Sequence, residues 1–324
     1  MNMPDVSVLI VSFNTRERLR QCLTSIPAAG GAASLEIIAV DNNSGDGSAD
    51  MLASDFPAVR LLRSPVNLGF ANANMRAAES AGGRYLLLLN PDALLPPGAI
   101  EAAVQHMDAS PDVGMAGGRL LGEDGGDQPS ARMFPTLMTE FFNLSGLAWR
   151  YPKSRWFGHF DRTWADPGVA SEVDWVPGAF AIVRGDLARR IGLFDPRFFL
   201  YYEEVDLCRR IRQAGYRVMY WPDLRIMHVG GESSKTLVDM EFSASGSQLT
   251  LWRMRSELLY FRKWHGPLYA WAVKALEQGW HRLRDLKNRK RAPEKSRESA
   301  AVVALWTRAY QDTRGGAESP PQPW

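Results

Sequence analysis

The sequence predicts an α/β protein whose first half forms a largely parallel, doubly wound sheet. Apolar runs alternate with helical patterns, turn residues separate the two kinds of segment, and polar residues follow three of the predicted strands. Alternation of strands and helices is the order expected of βαβ units. The predicted strands cover residues 6–11, 36–40, 59–62 and 85–89, and the predicted helices cover residues 15–26, 48–56 and 70–81.

Composition is that of an ordinary globular protein. The 324 residues suffice for one large or two fused domains, and 45% of them are hydrophobic while 23% are charged. The formal net charge is only +2, but residues 252–297 are rich in Lys and Arg. Two cysteines occur, Cys22 and Cys208, in helical patterns without the spacing of a disulfide framework. A reducing cytoplasm is therefore expected.

Neither a signal peptide nor a membrane span is predicted. The first apolar run, residues 6–13, follows Asp5 without a basic segment and is succeeded by turn residues instead of a cleavage site. The longest strongly apolar stretch is residues 85–89, far short of the roughly 18–20 residues that a bilayer requires. We expect a cytoplasmic protein, with peripheral contact to the cell membrane left open.

The second half of the chain is less regular. Residues 120–172 are rich in Gly and Pro and predict a variable, substrate-facing region. Residues 173–228 predict a strand, a helix at 186–191, a helix at 204–214 and two short strands. Beyond residue 243 the chain is helical, basic and rich in tryptophan, and residues 313–324 have the low complexity of a disordered tail.

Polar residues cluster where the predicted strands end. Ligands of doubly wound sheets bind outside the carboxyl ends of the strands. Asp41 could accept hydrogen bonds from a base or ribose, and Asp92 could bind a hard cation that bridges phosphates. The alternative is that both are turn residues. A dinucleotide fingerprint and a P-loop are absent, so those two nucleotide-binding classes are excluded.

Five segments resemble glycosyltransferase family 2, particularly its bacterial rhamnosyltransferase-like members. They read VSVLIVSFNTRERLRQCLTSI, EIIAVDNNSGDGS, NLGFANANMRAA, RYLLLLNPDALLPPGAIE and FFLYYEEVDLCRRIRQAGYRV. The similarity runs from residue 6 to 228 and weakens beyond 243. It implies a GT-A catalytic domain over residues 1–240, a helical extension over 241–312, a divalent cation (Mg²⁺ or Mn²⁺) and an inverting single displacement.

The resemblance also implies the nucleotide-sugar site. Asp41 would contact the nucleobase or ribose, and Phe13 would stack on the base. The Asp-x-Asp metal motif of the family appears as Asn90-Pro91-Asp92, which leaves Asp92 as principal metal ligand. His228 matches a histidine that approaches the metal or diphosphate, although a lone histidine is often structural. The implied donor-binding set is Ser12, Phe13, Asn14, Asp41, Asn43, Asn67, Gly69, Asn90 and Asp92.

The catalytic base of the family lies in a Glu-Asp pair, and here Glu204 takes the place of the aspartate. An inverting transfer needs a carboxylate that removes the proton of the acceptor hydroxyl. Glu204 is the expected base, with Asp206 and then Glu203 in reserve. The alternative is that this acidic cluster stabilises the first turn of a helix. Trp175 and Gly178 match the acceptor side of the family, with core packing as the other interpretation of Trp175.

The predicted function is inverting transfer of a sugar to a glycan or lipid-linked saccharide in cell-surface polysaccharide biosynthesis. The expected donor is dTDP-L-rhamnose, or another dTDP- or UDP-sugar. The basic, aromatic C-terminal segment suits a membrane interface, or else a solvated face with ordinary helix packing.

Two other classes of protein are alternatives to a glycosyltransferase. A sugar-1-phosphate nucleotidyltransferase needs a Gly-rich triphosphate loop that VSFNTRERL lacks, and a non-enzymatic nucleic-acid- or membrane-binding protein would leave the catalytic block unexplained. No nucleic-acid partner is expected. The sequence leaves acceptor, linkage and oligomeric state open.

Overall fold

One mixed ten-stranded sheet forms the centre of the computed structural model, which describes residues 3–230 and 247–321. The strands are β1 (Val6–Ser12), β2 (Leu35–Asp41), β3 (Arg60–Arg63), β4 (Tyr85–Leu89), β5 (Ala93–Leu94), β6 (Val113–Leu121), β7 (Asp127–Gln128), β8 (Ser171–Glu172), β9 (Phe180–Arg184) and β10 (Arg217–His228). The sheet order is β3-β2-β1-β4-β9-β6-β10-β5, with β7 beside β6 and β8 beside β10.

The first four strands form the predicted parallel sheet. β1 pairs in parallel with both β2 and β4, and β2 pairs in parallel with β3. The chain therefore leaves β1 in one direction and returns to its other side at β4, which creates a crevice at the carboxyl ends of these strands. All seven residues of β1 are buried, as expected for a strand covered on both faces.

Helices cover both faces of the sheet, so the doubly wound prediction is confirmed. They are α1 (Arg16–Gly30), α2 (Ser48–Asp55), α3 (Gly69–Ala78), α4 (Ala99–Ala109), α5 (Leu137–Ser145), α6 (Leu147–Arg150), α7 (Gly185–Ile191), α8 (Glu203–Gln213), α9 (Ser247–His265), α10 (Pro267–Asn288) and α11 (Pro293–Asp312). Side chains alternate along β1, so that Leu9 joins one apolar layer and Ile10 joins the other. Both cysteines are buried free thiols.

The end of the sheet differs from the prediction of two short strands before residue 228. The structure has the single strand β10, which runs parallel to β6 and has an irregular register between Trp221 and Arg225. Pro222 lies inside that irregularity, and proline lacks the N–H that a regular ladder requires. The continuous strand delivers His228 to the edge of the crevice.

The C-terminal helices share a core with the catalytic domain. Leu258 and Phe261 of α9 and Trp306 of α11 belong to the same apolar cluster as Val205 and Leu207 of α8. The helical prediction for this region is confirmed, while its predicted boundary at residue 240 lies outside the described residues. None of the described helices carries an apolar stretch of the length that crossing a bilayer requires.

The prediction of a disordered tail is wrong for residues 313–321. The N–H of Gly316 donates to Thr313 Oγ1 at 3.0 Å, and Thr313 itself is fully buried. Gly316 has a φ of +82° and lies so close to Leu258 that a Cβ atom there would be 2.1 Å from the carbonyl oxygen. Glycine lets the chain turn back onto α9, a tertiary contact that low-complexity composition does not disclose. Residues 322–324 of the predicted tail lie outside the described part.

Candidate active site

Two loops meet at the carboxyl ends of β1 and β2. Asn14 and Asn43 both adopt left-handed backbone, with φ of 53° and 68°, a conformation that asparagine tolerates better than most residues. The N–H of Asn14 donates to Ser44 Oγ at 3.1 Å, and the N–H of Gly45 donates to Asn14 Oδ1 at 2.8 Å. The side chain of Ser12 is buried and contacts Thr15 Oγ1 at 3.0 Å. Asn14 and Ser12 thus shape these loops.

Asp41 presents an acceptor that lacks a partner. The residue is 4% exposed, and its Oδ2 accepts a hydrogen bond from the Ser44 N–H at 3.2 Å. Its Oδ1 is buried without a hydrogen bond to any described residue. A buried acceptor without a donor costs about 1–3 kcal/mol, so a ligand donor here would be stabilising. The N–H of a nucleobase or a ribose hydroxyl supplies such a donor, and the half-buried ring of Phe13 lies in the adjoining loop.

A third loop closes the same crevice. Asn42 Nδ2 donates to Asn67 Oδ1 at 2.7 Å, and Asn42 Oδ1 accepts from the Leu68 N–H at 2.8 Å. Gly69 has a φ of +76°, and a Cβ atom there would lie 2.2 Å from the Phe199 carbonyl oxygen. Only glycine fits this approach. Asn67 and Gly69 therefore hold the loop in place, and Asn42, which the sequence analysis did not single out, connects it to β2.

Asp92 and His228 meet at the other side of the crevice. Asp92 is buried, its Oδ2 accepts from the Gly230 N–H at 3.0 Å, and its Oδ1 is 3.4 Å from His228 Nε2. Asn90 Nδ2 also approaches His228 Nε2, at 3.2 Å. Burial acts to raise the pKa of Asp92, but hydrogen bonding and charge from His228, together with the Gly230 N–H, outweigh it and hold that pKa below the ordinary value.

Gln128 orients the histidine. Its Nε2 donates to the His228 carbonyl oxygen at 2.7 Å, which turns its Oε1 toward His228 Nδ1 at 2.8 Å. Nδ1 therefore carries the ring proton, and Nε2 faces Asp92. The Nε2 lone pair can accept from Asn90 Nδ2, and a cation between Nε2 and Asp92 Oδ1 would be attracted by both atoms. One carboxylate oxygen and one imidazole nitrogen are a donor set that suits Mn²⁺ or Mg²⁺, with phosphates and water completing the shell.

The predicted base lies at the start of α8. Tyr201 and Tyr202 before it have φ of 70° and 68°, two successive left-handed residues that are costly for aromatic side chains. This turn aims the first helical residues at the crevice. Glu203 is 2% exposed, and burial followed by the charge of Glu204 raises its pKa well above the ordinary value. Burial also raises the pKa of the half-buried Glu204, although the Gly178 N–H acts in the opposite direction.

Backbone contacts bring Glu204 close to the metal-binding motif. The Gly178 N–H lies close enough to the Glu204 carboxylate to lower its pKa, and the neighbouring Ala179 carbonyl accepts from the Asn90 N–H at 3.1 Å. Glu204 Oε2 has no hydrogen-bond partner among the described residues. The Glu204 carboxylate thus lies beside backbone that pairs with the metal-binding motif, and its Oε2 is unpaired there. Gly178 lies near Glu204, and its place on the acceptor side stays a prediction.

Asp206 cannot serve as the reserve base. Two residues along an α-helix correspond to a rotation of about 200°, so Asp206 projects from the side of α8 opposite Glu204. It is fully buried and bonded to Arg210 Nε at 2.8 Å, Lys263 Nζ at 2.7 Å and Trp264 Nε1 at 2.9 Å. These partners hold the carboxylate in the seam between α8 and α9. The structure therefore corrects that expectation, and Lys263 and Trp264 are structural partners that the sequence analysis missed.

Trp175 is also corrected, from acceptor-facing residue to packing residue. Its indole is 6% exposed and donates from Nε1 to the Met133 carbonyl oxygen at 2.9 Å. The Arg132 guanidinium covers the ring at 4.7 Å and Phe160 lies 6.2 Å away, centroid to centroid. Too little of the ring face is free to pack against a sugar.

Comparison with known proteins assigns the fold and the family. The signature of glycosyl transferase family 2 matches residues 7–159, and that of glycosyl transferase family group 2 matches residues 85–264. The N-acetylglucosaminyl-diphospho-decaprenol L-rhamnosyltransferase of Mycobacterium tuberculosis is 30% identical over 239 residues, covering 70% of this chain and 76% of that protein. The chain belongs to glycosyltransferase family 2.

Solved structures agree on the fold of this glycosyltransferase. The mannosyltransferase PcManGT from Pyrobaculum calidifontis, in complex with GDP-Man and Mn²⁺, superposes with a TM-score of 0.54 at 17% identity, covering 96% of this chain and 88% of that one. S. aureus TarS in complex with UDP superposes with a TM-score of 0.51 at 14% identity, covering 96% and 92%. The predicted GT-A fold and glycosyltransferase class are confirmed, and the nucleotidyltransferase and non-enzymatic alternatives are set aside.

Proposed function

We propose that this glycosyltransferase moves L-rhamnose from dTDP-L-rhamnose, with inversion, onto a lipid-linked saccharide in surface polysaccharide synthesis. The observation that carries the reaction type is the unpaired carboxylate oxygen of Glu204 beside the Asn90–Asp92 motif. The choice of donor and acceptor is supported by the similarity to the M. tuberculosis relative, an N-acetylglucosaminyl-diphospho-decaprenol L-rhamnosyltransferase.

In the proposed reaction an acceptor hydroxyl oxygen attacks the anomeric carbon of the donor sugar. The Glu204 carboxylate takes the hydroxyl proton as the new C–O bond forms. The bond from the anomeric carbon to the diphosphate breaks, and its electron pair leaves with the nucleoside diphosphate. Attack from the face opposite the leaving group inverts the anomeric centre. The raised pKa of Glu204 makes its carboxylate a stronger proton acceptor than an exposed glutamate.

Donor binding is proposed for the opposite part of the crevice. The unpaired Asp41 Oδ1 would accept a hydrogen bond from the nucleobase or ribose, and the Phe13 ring would pack on the base. Asp92 and His228 would hold a divalent cation. The chemistry that such a cation supplies is neutralisation of the charge that develops on the departing diphosphate. The complex of the mannosyltransferase neighbour with Mn²⁺ supports a divalent cation here.

A donor screen tests the proposal. Purified protein is incubated with Mg²⁺ or Mn²⁺, a polyprenyl-diphosphate-linked N-acetylglucosamine acceptor and dTDP-L-rhamnose, UDP-sugars or GDP-sugars, and each released nucleoside diphosphate is quantified. We expect acceptor-dependent release of dTDP and a product with inverted anomeric configuration by NMR. Release of UDP or GDP but not dTDP would refute the donor, and retained configuration would refute the mechanism.

The reaction is proposed to take place at the cytoplasmic face of the cell membrane. A lipid-linked acceptor would bring the enzyme to that surface, and two buried free cysteines suit a reducing compartment. Fractionation of cells followed by a salt wash of the membranes tests this location. Recovery of the enzyme outside the cytoplasmic and peripheral-membrane fractions would contradict it.

A further inference from the structure

Most aromatic side chains of the C-terminal segment are unavailable to a membrane. On α9, Trp252 is 4% exposed and stacks on Phe199 with ring centroids 4.2 Å apart, while Tyr260 and Phe261 are fully buried. Trp306 of α11 is also fully buried. The part of this segment that a membrane could meet is therefore much narrower than the sequence suggests.

Helix α10 is different, because it exposes an apolar stripe along its whole length. The stripe comprises six positions spaced three or four residues apart, namely Leu268, Trp271, Ala275, Gly279, Leu283 and Leu286. Its four large side chains are exposed by 82%, 55%, 67% and 64%, in chain order. The 18 residue steps from Leu268 to Leu286 correspond to about 27 Å of helix.

The opposite side of α10 holds the helix on the protein. Ala270 and Val273 are fully buried there, and Trp306 Nε1 of α11 donates to Glu277 Oε2 at 3.3 Å. The stripe is therefore the outer side of a docked helix, and its exposure does not arise from a helix detached from the fold. Single exposed leucines are ordinary, but a continuous apolar row on one helix indicates an interaction surface.

Helix α5 extends this surface. Met138 and Phe141, three residues apart on α5, are 56% and 38% exposed. Phe141 contacts Trp280 of α10 edge to face, with centroids 6.5 Å apart. The Leu137 N–H donates to the Tyr269 hydroxyl at 2.6 Å. These contacts tie α5 to α10 and bring its exposed apolar residues beside the stripe.

A basic cluster adjoins the C-terminal end of the stripe. It consists of six exposed cations, Arg282, Arg284, Lys287, Arg289, Lys290 and Arg291. None of them forms an ion pair with another described residue. Asp285 is the only acidic residue within this ten-residue span, and it accepts a hydrogen bond from Ser296. The cluster therefore carries a strong uncompensated positive charge next to apolar side chains.

We propose that the α10 stripe and its basic cluster form a docking face for an anionic phospholipid bilayer. Lipid headgroups supply phosphates for the cations, and the adjoining acyl region takes up leucine and tryptophan side chains. A nucleic acid would match the cations but leave the apolar stripe in water. The two signature matches end at residues 159 and 264, so the α10 stripe and its basic cluster lie beyond both of them. The inference extends the proposed function, because a lipid-linked acceptor lies at such a surface.

Flotation of purified full-length enzyme with vesicles tests the proposal. We expect binding to phosphatidylcholine vesicles that contain phosphatidylglycerol, weak binding to phosphatidylcholine alone, and loss of binding in high salt. The triple variant R289Q/K290Q/R291Q should bind anionic vesicles about 100-fold more weakly, at about fivefold per cation. A matched variant with three exposed arginines of the catalytic domain changed, R189Q/R190Q/R225Q, should bind like the unchanged enzyme.

A second variant tests the contribution of the α10 stripe to vesicle binding. L268S/W271S/L283S/L286S replaces only exposed side chains, so its thermal unfolding should match that of the unchanged enzyme while vesicle binding falls at least tenfold. Normal vesicle binding by either α10 variant would overturn the proposal. Tighter binding of duplex DNA than of anionic vesicles would also overturn it. The same holds if the unchanged enzyme binds no vesicles and forms a dimer in solution that the stripe variant dissociates.

Transfer to a water-soluble acceptor separates this inference from the proposed function. The α10 variants should keep the activity of the unchanged enzyme on such an acceptor, because none of the changed residues lies in the crevice. Failure of the donor screen would leave the vesicle result unaffected, whereas failure to bind vesicles with normal soluble transfer would refute the docking face alone.

Discussion

Replacing Glu204 by glutamine separates proton transfer from every other role of this residue. Glutamine has the same length as glutamate, and its amide oxygen keeps one acceptor near the Gly178 N–H. The variant lacks the carboxylate that takes the proton of the acceptor hydroxyl. General-base catalysis typically contributes about 10²–10⁴-fold, equivalent to about 3–5 kcal/mol in activation free energy. We expect kcat to fall by that amount with the donor Kd nearly unchanged.

The comparison variant is Asp206→Asn, two residues further along α8. Asp206 is fully buried and bonded to Arg210, Lys263 and Trp264, so loss of its charge weakens three charge-assisted hydrogen bonds, although Lys263 keeps its bond to Asp195. The expected cost is about 1–3 kcal/mol in the free energy of unfolding. Folded Asp206→Asn enzyme should therefore turn over much faster than Glu204→Gln, although it melts at a lower temperature.

Single-turnover kinetics of both variants measures the chemical step, and thermal unfolding measures their stability. The pH profile adds an independent readout, because burial raises the pKa of Glu204 above the ordinary value of 4.5. Activity of the unchanged enzyme should fall on acidification at a pH above that value, as the base becomes protonated, and this limb should vanish in Glu204→Gln. Near-normal kcat in Glu204→Gln, together with abolished transfer in stably folded Asp206→Asn, would refute the assignment.

Three further outcomes concern the crevice. Asp92→Asn should lower kcat/KM severely and weaken Mn²⁺ binding, and near-normal turnover would show that its role is misassigned. Gln128→Met removes both hydrogen bonds that orient His228, so Mn²⁺ affinity should fall about 10–100-fold by calorimetry; an unchanged affinity would contradict that positioning role. Asp41→Ala should raise the donor KM with little change in kcat, and the reverse pattern would move this residue to the reacting centre.

Local patterns were sufficient to predict the parallel half of the sheet. Strand β4 was predicted with its observed bounds, because its five apolar residues are all buried and polar or turn residues flank them. The two short strands predicted before residue 228 form the single strand β10 in the structure. Pro222 lies in its irregular part, and β6 pairs with β10 on both sides of that irregularity. The pairing with β6, which is distant in sequence, therefore keeps β10 a single strand.

Site residues could be predicted where they belong to a sequence motif. They could not be predicted where contacts between residues distant in sequence bring them to the site. Glu204 was identified by its motif, but its surroundings depend on the 178–179 segment, which only the fold brings near. Gln128 sits in a glycine-rich stretch and acts on a histidine 100 positions away, with no sequence signal. Asp206 was the reserve candidate for the catalytic base, since sequence alone does not tell which side of α8 faces the crevice.

The bond between Asp206 and Lys263 has a consequence for building chimeric enzymes. A junction near residue 240 would follow the apparent limit of the catalytic domain, yet it would separate a fully buried aspartate from the lysine and tryptophan that neutralise and orient it. Grafting a foreign C-terminal region there would leave the buried Asp206 with its bond to Arg210 but without those to Lys263 and Trp264, on the helix that carries Glu204. Residues 206, 263 and 264 therefore have to be transplanted together in any such chimera.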